Sequence, residues 1–201
     1  MEVLPIFERS VRRISDAPQI DTREQLIASA RAIFIETGYA SASTPEIVRR
    51  AGLTRGALYH YFENKADLFY VVALAEAQAI ASEIRSLDIQ SEDPQKALID
   101  GAMAYFSAMK QTGRTKLLLV EAPSVLGPKE LKTVEHTARI RGLREGLTNL
   151  ARKEGVNLPI DALTELLSSM FDKAALSIAE GNFSAPYEVA IKLILRSLVA
   201  R

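Results

Sequence analysis

The sequence predicts an all-α fold, with an N-terminal three-helix unit containing a helix-turn-helix and a larger helical domain after it. Three observations carry that prediction. Apolar residues recur at spacings of three and four along the chain, the period of an amphipathic helix. The glycines stand singly at the ends of those periodic stretches, and cap residues or prolines open several of them. No stretch reads as a strand, a repeat or low-complexity sequence.

Composition bounds what such a fold can do. A chain of 201 residues can bury a proper core and hold one small and one medium domain. With 25 basic and 25 acidic side chains its formal net charge is zero, which argues against a generally basic nucleic-acid binder and requires any such function to rest on a local patch. Zero cysteines exclude disulfides and thiolate metal sites. The start, Met1-Glu2-Val3-Leu4-Pro5, lacks the basic and apolar runs of a signal peptide. The longest apolar stretch, residues 68–81, is interrupted by Glu76 and Gln78, so it reads as a buried helix rather than a membrane span. A cytoplasmic protein with no membrane partner is the expectation.

Residues 1–20 lack strong periodicity and balance Arg9, Arg12 and Arg13 against Glu2, Glu8 and Asp16, so they read as a loose, solvated arm in preference to a basic arm that reaches into an adjacent minor groove. The first helix should begin after Asp21, a cap residue with Glu24 three positions on to close a capping box. Its apolar stripe is Leu26, Ile27, Ala30, Ile33 and Phe34, and Gly38 should stop it. A second, short helix should start at Pro45 after a Thr44 cap, bury Ile47, Val48 and Ala51, and end at Gly52. Thr54 then caps a third, whose Leu58 and Phe62 fall four apart on one inward face. Residues 21–66 thus form a three-helix domain, and 67–201 the remainder.

The outward face of the third helix carries the function. Arg55, Gly56, Ala57, Tyr59, His60 and Tyr61 are small or aromatic where an ordinary solvated face favours Glu, Lys and Gln. From Ile47 to Phe62 there are three arginines, Arg49, Arg50 and Arg55, and no acid. Small residues let a helix approach a groove, arginine can fork onto guanine O6 and N7, and tyrosine hydroxyls can bond phosphate. Lys65, at the start of the next helix, joins its charge to free backbone N–H groups, a pairing that favours a phosphate.

From about residue 22 to 69 the chain resembles the DNA-binding domain of the TetR (tetracycline repressor) family of transcriptional regulators. The specific part is Ala51-Gly52-Leu53-Thr54-Arg55-Gly56-Ala57-Leu58-Tyr59-His60-Tyr61-Phe62-Glu63-Asn64-Lys65. The resemblance implies that the helix over 55–61 enters the major groove of double-stranded operator DNA. It turns Arg55, Ala57 and His60 toward bases and Thr44, Tyr59, Tyr61 and Lys65 toward the backbone, with Thr54 and Gly56 shaping the helix start between them. Arg50 departs from the family pattern, which often has an uncharged or acidic residue before the Ala-Gly turn.

Beyond Phe62 the helices lengthen. Asn64 should cap a helix over 65–87, the link between reader and remainder. After a polar loop at 88–94, Pro94 opens a helix bearing Ala97, Leu98, Ala102, Tyr105, Phe106 and Met109, and Gly113 breaks it. Residues 115–126 are intensely apolar around Glu121, a carboxylate that needs a partner or a ligand there. Gly127-Pro128 turns the chain into a charged, largely solvated helix over 129–154.

The last two helices, over 160–179 and 186–200, are apolar on more than one face. One core cannot cover both sides of both, so a second copy of the chain is expected to pack against them, with Leu163, Leu167, Phe171, Leu193, Ile194 and Leu198 in the seam. TetR-like proteins commonly pair through such helices, and a twofold dimer presents two reading helices to a palindromic operator. The resemblance also implies a small-molecule pocket between the helix after Lys65 and those near 100, 120 and 170. Met103, Phe106, Leu118, Met170 and Phe171 are its candidate lining, with Glu121 as polar anchor, and so few polar groups suggest an apolar or amphipathic effector. Repression relieved by that effector is the family's commoner habit.

Catalysis is poorly supplied. His60 and His136 are the only histidines, no Glu-x-x-His pair is present, and there is no glycine-rich phosphate loop, so neither enzyme nor cofactor nor metal is expected. The rival in another class is a helical dimer that binds an effector or partner without reading DNA.

Overall fold

Asp21 opens the first helix as its place in the sequence requires, its carboxylate accepting the Arg23 N–H at 3.2 Å. In the computed structural model, which describes residues 21–87 and 91–199, α1 spans Thr22–Ser41 and buries Leu26, Ala30, Ile33 and Phe34. The arm at 1–20 lies outside the described residues. Gly38 interrupts α1 instead of ending it. Its φ of 81° suits glycine, and a Cβ there would stand 2.9 Å from Glu121 Oε1. The turn beyond it persists because the Lys65 ammonium donates to the carbonyls of Tyr39 and Ala42, at 2.8 and 2.9 Å.

The second helix, α2, is Thr44–Ala51 and starts one residue earlier than its sequence suggests. Ser43, not Thr44, is the cap, accepting the Glu46 N–H at 3.3 Å, and Gly52 ends the helix with φ 67°. Thr54 caps α3, Arg55–Tyr61, through the Ala57 N–H at 3.2 Å. These three helices pack on one another and bury Phe34, Ile47, Leu58 and Phe62.

Asn64 accepts the N–H groups of Ala66 and Asp67, at 2.8 and 3.0 Å, and so caps α4, Lys65–Ser86. A straight helix of that length runs about 33 Å. It packs on α1 near its start and, farther along, on α5, Pro94–Met109. Residues Lys116–Glu121 form a wide π-helical turn that leads into α6, Ala122–Val125. The predicted charged helix is a continuous helical run: α7, Pro128–Glu135, a second π-helical stretch at His136–Ile140, and α8, Arg141–Glu154. It is not wholly solvated, since Val134, Ala138, Leu143, Leu147 and Leu150 form a buried inner face.

The run ends on α9, Ile160–Ala179, and α10, Ser184–Ser197, with Pro186 in the first turn, where a missing N–H costs nothing. Among the described residues there is no strand, and no helix is long and apolar enough to cross a membrane.

The α9 and α10 faces correct part of the expected dimer seam. Leu167 and Phe171 turn inward and are covered by the chain itself, so neither can offer area to a second copy. Leu163 and Leu198 are half-buried against the core. The exposed large apolar side chains within α9 and α10 are Leu166, Val189, Leu193 and Ile194, with Phe183 exposed just before α10.

Candidate nucleic-acid interface

With Leu58 locked into the core, the other side of α3 faces outward: Arg55, Gly56, Tyr59, His60 and Tyr61 are exposed and Ala57 is half-buried. Thr54 is committed to capping. The Tyr59 hydroxyl is pulled below its ordinary pKa by hydrogen bonds, first with Thr44 and then with Arg55. The Arg55 guanidinium also lies 5.9 Å from the centre of the Tyr59 ring. Thr44, Arg55 and Tyr59 therefore form one cluster across the starts of α2 and α3. The His60 and Tyr61 rings meet edge-on at 4.9 Å. At Gly56 the nearest atom to a Cβ would be Thr54 Oγ1 at 3.7 Å, so internal crowding does not require glycine there.

The charge of this patch is narrower than the sequence suggests. Arg49 is paired with Glu46 at 2.5 Å, and Arg50 reaches Glu36 of α1 at 2.6 Å. Arg55 is the guanidinium of α2 and α3 that has no carboxylate partner among the described residues. Lys65 stands over the Tyr39 ring at 4.3 Å with two of its three donors on main-chain carbonyls, leaving one N–H for anything outside.

Behind the reader lies a junction with no local sequence signal. Glu76 of α4 accepts from Arg31 of α1 at 2.6 Å and from the buried Arg114 at 2.8 Å. Arg114 also donates to the Ala108 carbonyl at 2.6 Å and to Glu83 at 2.9 Å. Burial pushes the Glu76 carboxyl up, but the two guanidiniums together outweigh it and hold its pKa below the ordinary range. Glu121 makes a second tie, accepting the Tyr39 N–H at 3.1 Å.

A cavity of about 630 Å³ opens between the end of α4, α5 and the α7–α8 run. Its buried floor includes Leu98, Ala102, Tyr105, Ala138, Leu143 and Phe171. Of the predicted effector contacts, Phe171 lines this cavity and Phe106 a smaller one of about 380 Å³, whereas Met103, Leu118, Glu121 and Met170 line neither. Met103 and Met170 pack against the core, Leu118 is buried within it, and Glu121 is turned to α1. Helical spacing marks inward residues but does not separate those that meet other side chains from those that meet space.

One polar group in the cavity wall escaped sequence reasoning altogether. Tyr105 donates to Asp172 at 2.8 Å, and Arg139 pairs with the other oxygen of Asp172 at 2.5 Å. Burial raises the Asp172 pKa despite the lowering effect of Arg139, and it raises that of Tyr105 well above its ordinary value. Arg139 Nε is buried without an acceptor.

Comparisons with known proteins fit this geometry. Residues 26–72 match the family described as bacterial regulatory proteins, tetR family, and residues 95–198 the one described as tetracyclin repressor-like, C-terminal domain. The HTH-type transcriptional activator FasR of Mycolicibacterium smegmatis is 27% identical over 59% of this chain, and the match spans about half, 54%, of that relative's length. The HTH-type transcriptional repressor AcnR of Corynebacterium diphtheriae is 21% identical over 88% of this chain and 90% of its own. Among solved structures, a TetR-family transcriptional regulator from Pectobacterium atrosepticum superposes with TM-score 0.67 at 27% identity, over 89% of this chain and 92% of that one. The transcriptional regulator FadR from Bacillus subtilis, solved in complex with stearoyl-CoA, gives TM-score 0.74 at 15% identity over 88% and 98%, a likeness of fold.

Proposed function

The chain belongs to the TetR family of bacterial transcriptional regulators, with its helix-turn-helix DNA-binding domain at the N-terminal side, and on that premise we propose that it binds a palindromic operator as a homodimer and releases it when a small molecule fills the larger cavity. The observation that carries this reading is the outward face of α3, where Arg55, without a carboxylate partner among the described residues, stands beside exposed His60, Tyr59 and Tyr61 on a neutral chain. Arg55, Ala57 and His60 read base edges, while Thr44, Tyr59 and Tyr61 hold phosphates. Lys65 contributes to the backbone contacts only through its one remaining N–H. So few unpaired charges need doubling, and the exposed Leu166, Val189, Leu193 and Ile194 supply a face on which a second copy packs.

Release is a population shift. One helix, α4, starts at Lys65 beside the reader and lines the cavity near its other end through Ala81, Ile84 and Arg85. An effector that favours a different tilt of α4 changes the spacing of the two reading helices, and it lowers operator affinity to the extent that it binds that second geometry more tightly.

Selection of bound duplexes from a random pool tests the reading. An enriched palindrome with half-sites about one helical turn apart, or a multiple of it, is the expected result. Arg55→Ala should then cost roughly tenfold or more at one base position per half-site and leave the others unchanged. A pool with no enriched sequence would overturn DNA recognition and favour a helical dimer that binds an effector or partner alone.

A further inference from the structure

The sequence suggests a cavity with few polar groups, yet its mouth is ringed by Arg85, Arg141, Arg152 and Lys153, with Glu145 as the acid of the lining. None of these four cations has a carboxylate partner among the described residues; Arg152 donates to the Asn149 side chain and Lys153 to the main-chain carbonyl of Glu92. On a chain of zero net charge, four cations around one opening against a single acid of the lining, Glu145, form a local field that draws in anions and repels cations.

A second observation is independent of that surface. The Arg139 side chain, in the same cavity wall, is only 9% exposed and its Nε–H has no acceptor. A buried N–H of a charged group left without a partner is costly, and a ligand oxygen in the cavity would satisfy it. The third is shape. Gly101 and Gly142 both line the cavity, and a Cβ on either would find nothing within 4 Å. The buried floor beneath is apolar apart from the Tyr105 hydroxyl, which is spent on Asp172.

We propose that this cavity binds an anionic amphiphile, with its apolar body on the Leu98–Ala102–Phe171 floor, an acceptor oxygen at Arg139 Nε and its anionic group among the four cations of the mouth. This names the chemical class of the effector and rests on the effector reading above only for its consequence on DNA. The head is an anionic oxygen, carboxylate or phosphate. The cationic mouth excludes amines of the same length, and the unsatisfied Arg139 N–H disfavours a body without an acceptor.

Calorimetric titration below the micellar range, with N-dodecanoylglycine, N-dodecanoylethanolamine phosphate, N-dodecanoylethanolamine and N-dodecanoylethylenediamine as probes, each with one acyl carbonyl for Arg139, tests it on the full chain. At least one anion should bind about tenfold or more tightly than the alcohol and the amine, and the tighter anion identifies the head. Added salt should reduce that preference. The double variant Arg141→Gln/Arg152→Gln, on exposed positions, should bring the anion close to the alcohol with no change in the unfolding midpoint. Gly101→Leu, which fills the cavity, should abolish binding of all four. Equal affinity for anion and alcohol, or an undiminished preference in the double variant, would overturn the proposal. If no anion binds while operator binding persists, this site fails and the regulator stands. If an anion binds and operator affinity does not move, the site stands and the release mechanism fails.

Discussion

Glu76 and Asp172 are both carboxylates inside the helical body, each held by arginine, and they are poised in opposite directions. Glu76 has two guanidiniums, from Arg31 and Arg114, and every one of those groups has a partner. Asp172 has one guanidinium and a tyrosine hydroxyl, and burial still raises its pKa. Around Glu76 the charges are saturated, so that α1, α4 and the end of α5 are locked together. In the cavity wall they are left short, with a spare N–H on Arg139. A saturated network is suited to transmit a displacement; an unsaturated one is suited to receive a ligand.

Removing one arginine from each site separates the two most sharply. Arg114→Met leaves the buried Glu76 with Arg31 alone and takes the partner from the partly exposed Glu83, and should cost about 3 kcal/mol or more at neutral pH in urea unfolding, nearly all of it at Glu76. Acid should erase most of that cost. The folded pKa of Glu76 lies below its ordinary 4.5, so its contribution is complete above that value and is lost as pH falls through the folded pKa. The difference between wild type and variant should therefore shrink as the pH drops below about 4.5. A difference that stays constant to low pH would show that the loss is one of packing and not of charge.

Arg139→Met should cost less, about 1–2 kcal/mol at neutral pH, because Asp172 can take up a proton and keep its bond to Tyr105. Here the sign reverses. The folded pKa of Asp172 lies above its ordinary 3.8, so the contribution it makes is complete below that value and is lost as pH rises through the folded pKa. Removing Arg139 pushes that folded pKa further up, and the variant should regain stability on mild acidification from pH 7. Equal costs for the two variants, with the same pH trend, would break the distinction between junction and cavity wall.

The two sites also divide what could be read from the chain. Caps, breaks and inward stripes are local, so Asp21, Gly52, Thr54, Asn64 and Pro94 marked their elements to within a residue or two, and the outward set on α3 followed from Leu58 and Phe62 facing in. Glu121 announced that it needed a partner but not which one, since its hydrogen bond comes from the main chain of Tyr39, 82 positions away, while the nearby Lys116 stands off at 3.9 Å. Glu76 was visible only as an interruption in an apolar run. Arg139 and Asp172 stand 33 positions apart and Arg31 and Glu76 45 apart, separations at which neither period nor charge spacing carries a signal. The cavity was illegible for a related reason: periodicity identifies inward positions, and Met103, Leu118 and Met170 are inward without meeting space. The outer faces of α9 and α10 were legible as excess, but the turn of each helix put Leu166 and Val189 outside and Leu167 and Phe171 inside.

The reader provides the smallest effect and the limiting case of the same comparison. Arg50 and Glu36 meet at 2.6 Å, a geometry as good as any in the junction, yet both are largely open to water. Their attraction lowers the Glu36 pKa chiefly through the hydrogen bond itself, and solvent screening cancels most of what that is worth to the fold. Arg50→Gln should leave the unfolding midpoint unchanged within error at any pH, although a longer pair, 2.8 Å, at Arg114 holds the junction together. Its effect on DNA separates two roles for the departure from the family pattern. If Glu36 keeps Arg50 on α1, the salt slope of operator binding should not move; a slope reduced by about 1 would mean that Arg50 leaves Glu36 for a phosphate when DNA arrives. Distance alone does not rank these pairs, because what a guanidinium contributes depends on how much water its removal lets back in.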